Sequence, residues 1–587
     1  MNILNDPYTI SYANFLLVIS ISIILFIYRF IFPKKNIHLV FLLLLVSIIP
    51  TLSIFRSGTY RSGDLTTHYI QFIDFYKNLT EGAFIPRWAG DLCGGYGCPL
   101  FIIEYILPYY FASFFHFFGF TFLTSMKLVL VSSFVASGIT MYLWAKEEFG
   151  KLPGFVAAVF YLYAPYHFID LHFRGSVGEV TSFVFIPLLF LFAKRFIETQ
   201  KSKFFFLEGI IVLLLILTHS STTVISLPLV AGYSLVVWIR KPKRQIKEFI
   251  FFQCALIYGI LLASFYWYPA LQGVRFTWWT DTTFGDFKPF TEYLYSPVLF
   301  GLLFQGHHGE YRLIIGYFHL LTVFLAIVFL FRKRIDKKFR LVLLFFLLAF
   351  FVLFFMLQSI SRPIWQQITL LHTFIVVWRL LVPIAFVTAA IAGIVSREIK
   401  NPTVTIIICY LVIVLTIPNW ANRKMVPPSQ TPFLREVEIY TEYFEKGNSI
   451  FEESRIKREP KKMEIALHPP TKHIEFLKGE GQFVQLTQKQ RLHEYVLVAD
   501  NDVLILENTN YFPGWEVFVN GKSLPINYKN MNHLGKITFS LKKGVYFVAV
   551  KYEDTPVITF SKTISFLALF GGVVYLLRGV GINYKNR

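Results

Sequence analysis

Thirteen apolar runs, each near the ~20 residues needed to cross a hydrocarbon core, leave this chain few ways to fold. They lie at 12–32, 37–54, 122–145, 152–168, 180–196, 204–218, 222–239, 249–269, 312–331, 339–357, 374–395, 403–419 and 558–578. With 55% hydrophobic and only 16% charged residues among 587, a water-soluble fold would have no means of hiding its apolar surface. The pattern predicts a polytopic α-helical membrane protein with about 13 transmembrane helices. The first run lacks a basic leader and a small-residue cleavage site, so it reads as a helix and not as a signal peptide.

The net charge of +20 invites a nucleic-acid reading, but its distribution argues otherwise. The connections YRFIFPKK, AKEEFGK, AKRFIETQKSK, IRKPKRQIK, FRKRIDKKFR, SREIK and the tail after Leu577 hold 25 Lys and Arg. The opposite connections hold far fewer, which places the basic set in the cytoplasm and makes nucleic acid an unneeded partner. Parity then places loop 55–121 and region 420–557 outside. Domain boundaries follow: a membrane domain 1–419, an extracytoplasmic soluble domain 420–557 that is β-rich from about 493, and a last helix and cytoplasmic tail at 558–587. Cys254 and Cys409 fall in apolar runs and read as packing residues. Cys93 and Cys98 in CGGYGC suit either a small disulfide or two free thiols.

Residues 98–120 are apolar enough to span, but a crossing there would reverse the sides of the basic loops that follow. Glu104, Pro108 and His116 fit an interfacial or re-entrant helix better. Leu65, Tyr69, Phe72, Tyr76 and Leu79 recur at helical spacing, so 61–80 predicts a second surface helix. The strand-like runs EYVLVAD, DVLILENT, WEVFVNGKSLPI, GKITFSL and GVYFVAVKY predict a small β-sandwich, with Asn-Gly forming a hairpin turn. YFPGW suits a turn with core aromatics, or a carbohydrate platform at Trp515. No internal repeat, low-complexity tract or glycine-rich phosphate loop is present.

Polar groups concentrate in the expected outer loops. Asp64 and His68, four apart, share one helix face, and Asp64 also suits an N-cap. YHFIDLHFRGSVGEV brings Asp170, His172, Arg174 and Glu179 together. THSS, QGHHGEYR and Arg379 in HTFIVVWRLLVP are further outer groups. His307 and His308 could ligate a metal, although neighbouring side chains diverge on most backbones. Arg379 suits snorkelling or phosphate binding.

GDLTTHY, YGCPLFIIEYILPYY, YAPYHFIDLHFRGSVGE, VVWRLL and NYFPGWEVFVNGKSLPI…GVYFVAVKY together resemble a known group. It is the YfhO-like, "6-pyruvoyl-tetrahydropterin synthase-related" membrane protein group, within the GT-C superfamily of polyprenyl-phosphate-sugar-dependent glycosyltransferases. The soluble pterin chemistry in that label has no support in this composition. The resemblance implies a GT-C-like fold and sugar transfer from a polyprenyl-phosphate donor to a glycan, lipid or polymer acceptor at the plasma membrane. Asp64 would be the first-loop catalytic acid, and Glu179 or Asp170 the second-loop one.

Such a reaction needs a base for the acceptor hydroxyl and cations for the leaving phosphate. Asp64 fits the first role. Arg174 and Arg379 fit the second, with His68, His307 and His308 positioning substrate. The residues define no certain cofactor, although two carboxylates could share a divalent metal ion. The contrasting readings are a transporter or flippase of lipid-linked sugars and a non-catalytic envelope protein.

Overall fold

A computed structural model describes residues 7–277 except 36, 61 and 94, then 304, 312–420 except 369, 372–375 and 400, the pair 425–426, and 470–585 except 471, 531, 532 and 534. Its helices are α1 (Pro7–Ile31), α2 (Leu39–Ile48), α3 (Leu65–Thr80), α4 (Leu107–Phe117), α5 (Phe122–Phe149), α6 (Lys151–Leu162), α7 (Val177–Thr199), α8 (Ser202–Thr218) and α9 (Ser220–Arg240). They continue as α10 (Ile246–Leu262), α11 (Ser264–Gly273), α12 (Tyr317–Phe331), α13 (Lys337–Met356), α14 (Leu381–Glu398), α15 (Pro402–Thr416) and α16 (Pro556–Lys585). Among the described residues, eight helices are long and apolar enough to cross a membrane, or ten if each bent pair counts as one span. The other expected segments, 37–54, 204–218 and 312–331, carry the shorter helices α2, α8 and α12.

The first bend has a local cause. Between α6 and Arg174 the chain turns by 50° after Tyr163, where Pro165 lacks the donor that would continue the ladder. It then passes through a π-helical turn, Ile169–Arg174, that ends on the left-handed Gly175. The 63° bend between α10 and α11 falls at Ala263. The most enclosed helix is the one beginning near Val377, 94% of whose apolar window is buried.

The first loop is more buried than an interfacial helix requires. In α3 the expected face is buried at Leu65, Tyr69 and Phe72 and half-buried at Tyr76 and Leu79, and His68, Gln71, Asp74 and Asn78 beyond it are buried as well. Stretch 98–120 does not span as one helix; it breaks into Leu100–Ile103 and α4. The end of α4 presents Phe114, Phe117 and Phe118 to the surroundings.

The soluble region is a two-layer sandwich. One sheet runs β4–β5–β10–β7–β8, from Gly481–Lys489, Leu492–Ala499, Gly544–Tyr552, Trp515–Val519 and Lys522–Leu524. The other runs β3–β6–β9, from Ile474–Lys478, Val503–Asn510 and Lys536–Leu541. A small separate pair joins β1 (Thr59–Tyr60) to β2 (Met425–Val426). Strands thus begin at Ile474, ahead of the expected position near 493. β4 exposes Gln482, Val484, Gln485 and Leu486, so its sequence lacks the clean alternation of a half-buried strand. Asn520 and Gly521 take positive φ between β7 and β8, as the Asn-Gly signal predicts.

Trp515 is buried in the sandwich core beside Trp88 of the first loop, with ring centroids 5.3 Å apart, so it packs and does not offer an exposed platform. Trp88 also stacks on Tyr552. Cys93 and Cys98 form a disulfide within the same loop. Asn510 donates to Gly97 O at 2.7 Å, and Gln490 bonds both Gly90 N and Asp74 Oδ1. The first loop and the sandwich therefore share one core.

Candidate active site

The site forms where the first loop meets the turn between α6 and α7. Gly63 N donates to Phe173 O at 3.1 Å and Asp64 N to Arg174 O at 2.7 Å, stitching the start of α3 to the π-helical turn. That approach requires glycine at 175, since an added Cβ there would sit 2.6 Å from Leu65 Cβ.

Asp64 occupies the N-cap position of α3, yet its side chain makes no capping bond. Ser62 Oγ accepts from Leu65 N at 3.1 Å instead. The Asp64 carboxylate turns to Arg174, with Nη2 to Oδ2 at 3.0 Å. Arg174 Nη1 reaches Asp170 Oδ1 at 2.9 Å and Glu179 Oε1 at 2.8 Å. The π-helical turn juxtaposes Asp170 and Arg174, and Glu179 lies in the first turn of α7.

Three more groups enclose Glu179. Tyr166 donates to Oε2 at 2.7 Å while accepting from Arg174 at 2.9 Å. Arg379 Nε, on the 3₁₀ turn Val377–Leu380, lies 3.2 Å from Oε1. Arg379 Nη1 also contacts Ser221 Oγ at 3.4 Å. His219 accepts from Thr222 N through Nδ1, so its proton sits on Nε2, 3.8 Å from Glu179 Oε1. Residues far apart in sequence thus converge on one buried ionic cluster.

Exposure separates the acids. The side chain of Asp64 is 36% exposed, whereas those of Asp170 and Glu179 are fully buried. Of the three, Asp64 alone can meet a molecule from outside without rearrangement. Arg174 is committed to three carboxylates and forms the centre of the cluster. His68 faces α4 and its preceding loop, with Nε2 at 2.8 Å from Tyr105 OH and Nδ1 at 3.0 Å from Tyr109 OH. Its burial holds the imidazole pKa below the ordinary value, against the opposing pull of Asp64. His307 and His308 lie outside the described residues. Among the described residues no group of three or more His, Cys, Asp or Glu is placed to hold a metal. Tyr105, Tyr166, His219 and Ser62 were not singled out individually from the sequence. Only the polarity of THSS, beside a predicted span, pointed toward one of them.

Residues 104–426, more than half of the chain, match the model of the 6-pyruvoyl-tetrahydropterin synthase related domain, described as a membrane protein. The chain belongs to that family. It also resembles an uncharacterised protein of Lactococcus lactis subsp. cremoris (strain MG1363), at 23% identity over 251 residues, covering 42% of this chain and 41% of that one. The match therefore spans less than half of that relative. The apo oligosaccharyltransferase of Archaeoglobus fulgidus superposes with a TM-score of 0.40 at 12% identity, over 72% of this chain and 60% of that one. The mycobacterial arabinofuranosyltransferase AftD gives 0.38 at 17% identity, over 65% and 27%. Overlaps this loose do not bear on activity.

Proposed function

We propose that this protein is an integral membrane glycosyltransferase of GT-C type. It moves a sugar from a polyprenyl-phosphate donor to an acceptor on the extracytoplasmic side, with Asp64 as general base. The observation that carries the reading is the orientation of Asp64. It sits at a cap position without capping, is partly exposed, and belongs to a cluster with two buried acids and two arginines.

Chemically, the acceptor hydroxyl transfers its proton to Asp64 as its oxygen attacks the anomeric carbon, and the lipid phosphate leaves with the electron pair of the broken bond. Arg174 orients Asp64 by holding one carboxylate oxygen. Arg379, at the margin of the cluster, is the cation best placed to approach a phosphate. Asp170 and Glu179 balance the arginines and preorganise the site. The exposed phenylalanines at the end of α4 suit a helix at the membrane surface, where a lipid donor would enter sideways.

The test is incubation of the reconstituted protein with radiolabelled short-chain polyprenyl-phosphate hexoses and pentoses, supplied with membrane glycan as acceptor. Covalent transfer with release of polyprenyl phosphate is expected. Movement of intact donor across the bilayer without bond cleavage would replace the reading with a flippase.

A further inference from the structure

We propose that His68 and Tyr105 are positioning residues of the Asp64 site, linked in a one-directional hydrogen-bond chain that fixes the first turn of α3 against the first turn of α7. The direction follows from counting donors. Gln71 Oε1 can only accept, and Tyr109 donates its single hydroxyl proton to it. Toward His68, Tyr109 therefore offers only lone pairs. His68 Nδ1 faces these two acceptors, Tyr109 OH at 3.0 Å and Gln71 Oε1 at 3.2 Å, so Nδ1 carries the ring proton. In the neutral ring Nε2 is then bare, and it accepts from Tyr105 OH at 2.8 Å. Burial favours that neutral ring.

Beyond His68, the Tyr105 ring packs directly on the backbone of Gly178, in the first turn of α7. Gly178 directly precedes Glu179 in the chain. Glycine is required there, because an added Cβ would lie 2.5 Å from Tyr105 Cζ. At the other end, His68 N bonds Asp64 O at 3.0 Å. The chain thus runs from the backbone of Asp64, through the imidazole and the phenol, to the residue before Glu179. It joins the two acids by a route independent of Arg174.

The chain's polarity is tested by ¹⁵N NMR of histidine-labelled protein in nanodiscs, with the His68 signal identified by its loss in His68→Gln. A proton on Nδ1 and a bonded Nε2 that loses its partner in Tyr105→Phe are expected. A proton on Nε2 overturns the proposal.

Its kinetic arm rests on the transfer reading. With the polyprenyl-phosphate sugars above, Tyr105→Phe and His68→Leu should lower kcat ~10–100-fold with KM little changed, as misplaced catalytic groups do. His68→Gln, whose amide can accept from Tyr105 and donate to Tyr109, should restore most of the rate that His68→Leu loses. A His68→Gln protein as slow as His68→Leu would mean that the imidazole itself moves a proton, and the positioning role falls. If the wild type transfers no sugar, the transfer reading fails, and the NMR result alone decides the chain.

Discussion

Replacing Arg174 by Gln tests its role as the anchor of the cluster. The guanidinium contacts Asp64, Asp170 and Glu179 at 3.0, 2.9 and 2.8 Å. The losses are unequal. Glu179 keeps Tyr166 and Arg379. Asp64, at 36% exposure, can be rehydrated, and its share is ~1 kcal/mol or less. Asp170 is fully buried, and Arg174 is its cationic partner. Without Arg174 this buried carboxyl group loses its cationic partner, at a cost of up to about 3–5 kcal/mol.

Arg174→Gln should therefore be strongly destabilised, read as a fall in the temperature at which half of the purified protein remains monodisperse. Adding Asp170→Asn removes the stranded carboxyl group and should recover much of the loss, a coupling that a double-mutant cycle measures directly. An Arg174→Gln protein as heat-resistant as wild type, or a double variant no better than the single, would refute the anchoring argument.

Three further outcomes follow from the joint between the loop and the sandwich. Burial, reinforced by the nearby Asp91 carboxylate, raises the Asp74 pKa well above its ordinary value. The folded protein thus keeps a proton that the unfolded chain releases above about pH 4. Stability should fall as pH rises from there toward the folded pKa, by about 1.4 kcal/mol for each tenfold gain in proton affinity, and Asp74→Asn should flatten this dependence in pH-resolved melts. Trp88→Ala empties a site between Trp515 and Tyr552 and should cost ~3–5 kcal/mol, seen as faster proteolysis of the first loop. Cysteines at Phe84 and Ser523, in a Cys254→Ser background, should both react with an impermeant reagent in intact cells; protection of either would reverse the proposed orientation.

The helices and the last strands were legible because apolar length and alternation are local signals. Asp64, Glu179, Arg174 and Arg379 were legible because a charge beside an apolar run is conspicuous. The tyrosines were not: Tyr105, Tyr109 and Tyr166 are three among 32, and only the fold reveals which hydroxyls face a polar partner. The Ser62 cap was hidden by Asp64, a better-placed capping residue that turns away to Arg174. Trp88 gave no sign that it completes the core of a domain some 400 residues later, since such a contact leaves no periodic trace. β3 and β4 were hidden by their polar, exposed positions.

Asp64→Asn in the reconstituted transfer assay tests the central claim most directly. The amide keeps the shape of the side chain, and Arg174 retains Asp170 and Glu179, so expression and heat resistance should stay near wild type. Transfer should fall by ~10²–10⁴-fold, the usual consequence of losing a general base. A well-folded Asp64→Asn protein that transfers sugar at the wild-type rate would contradict the account.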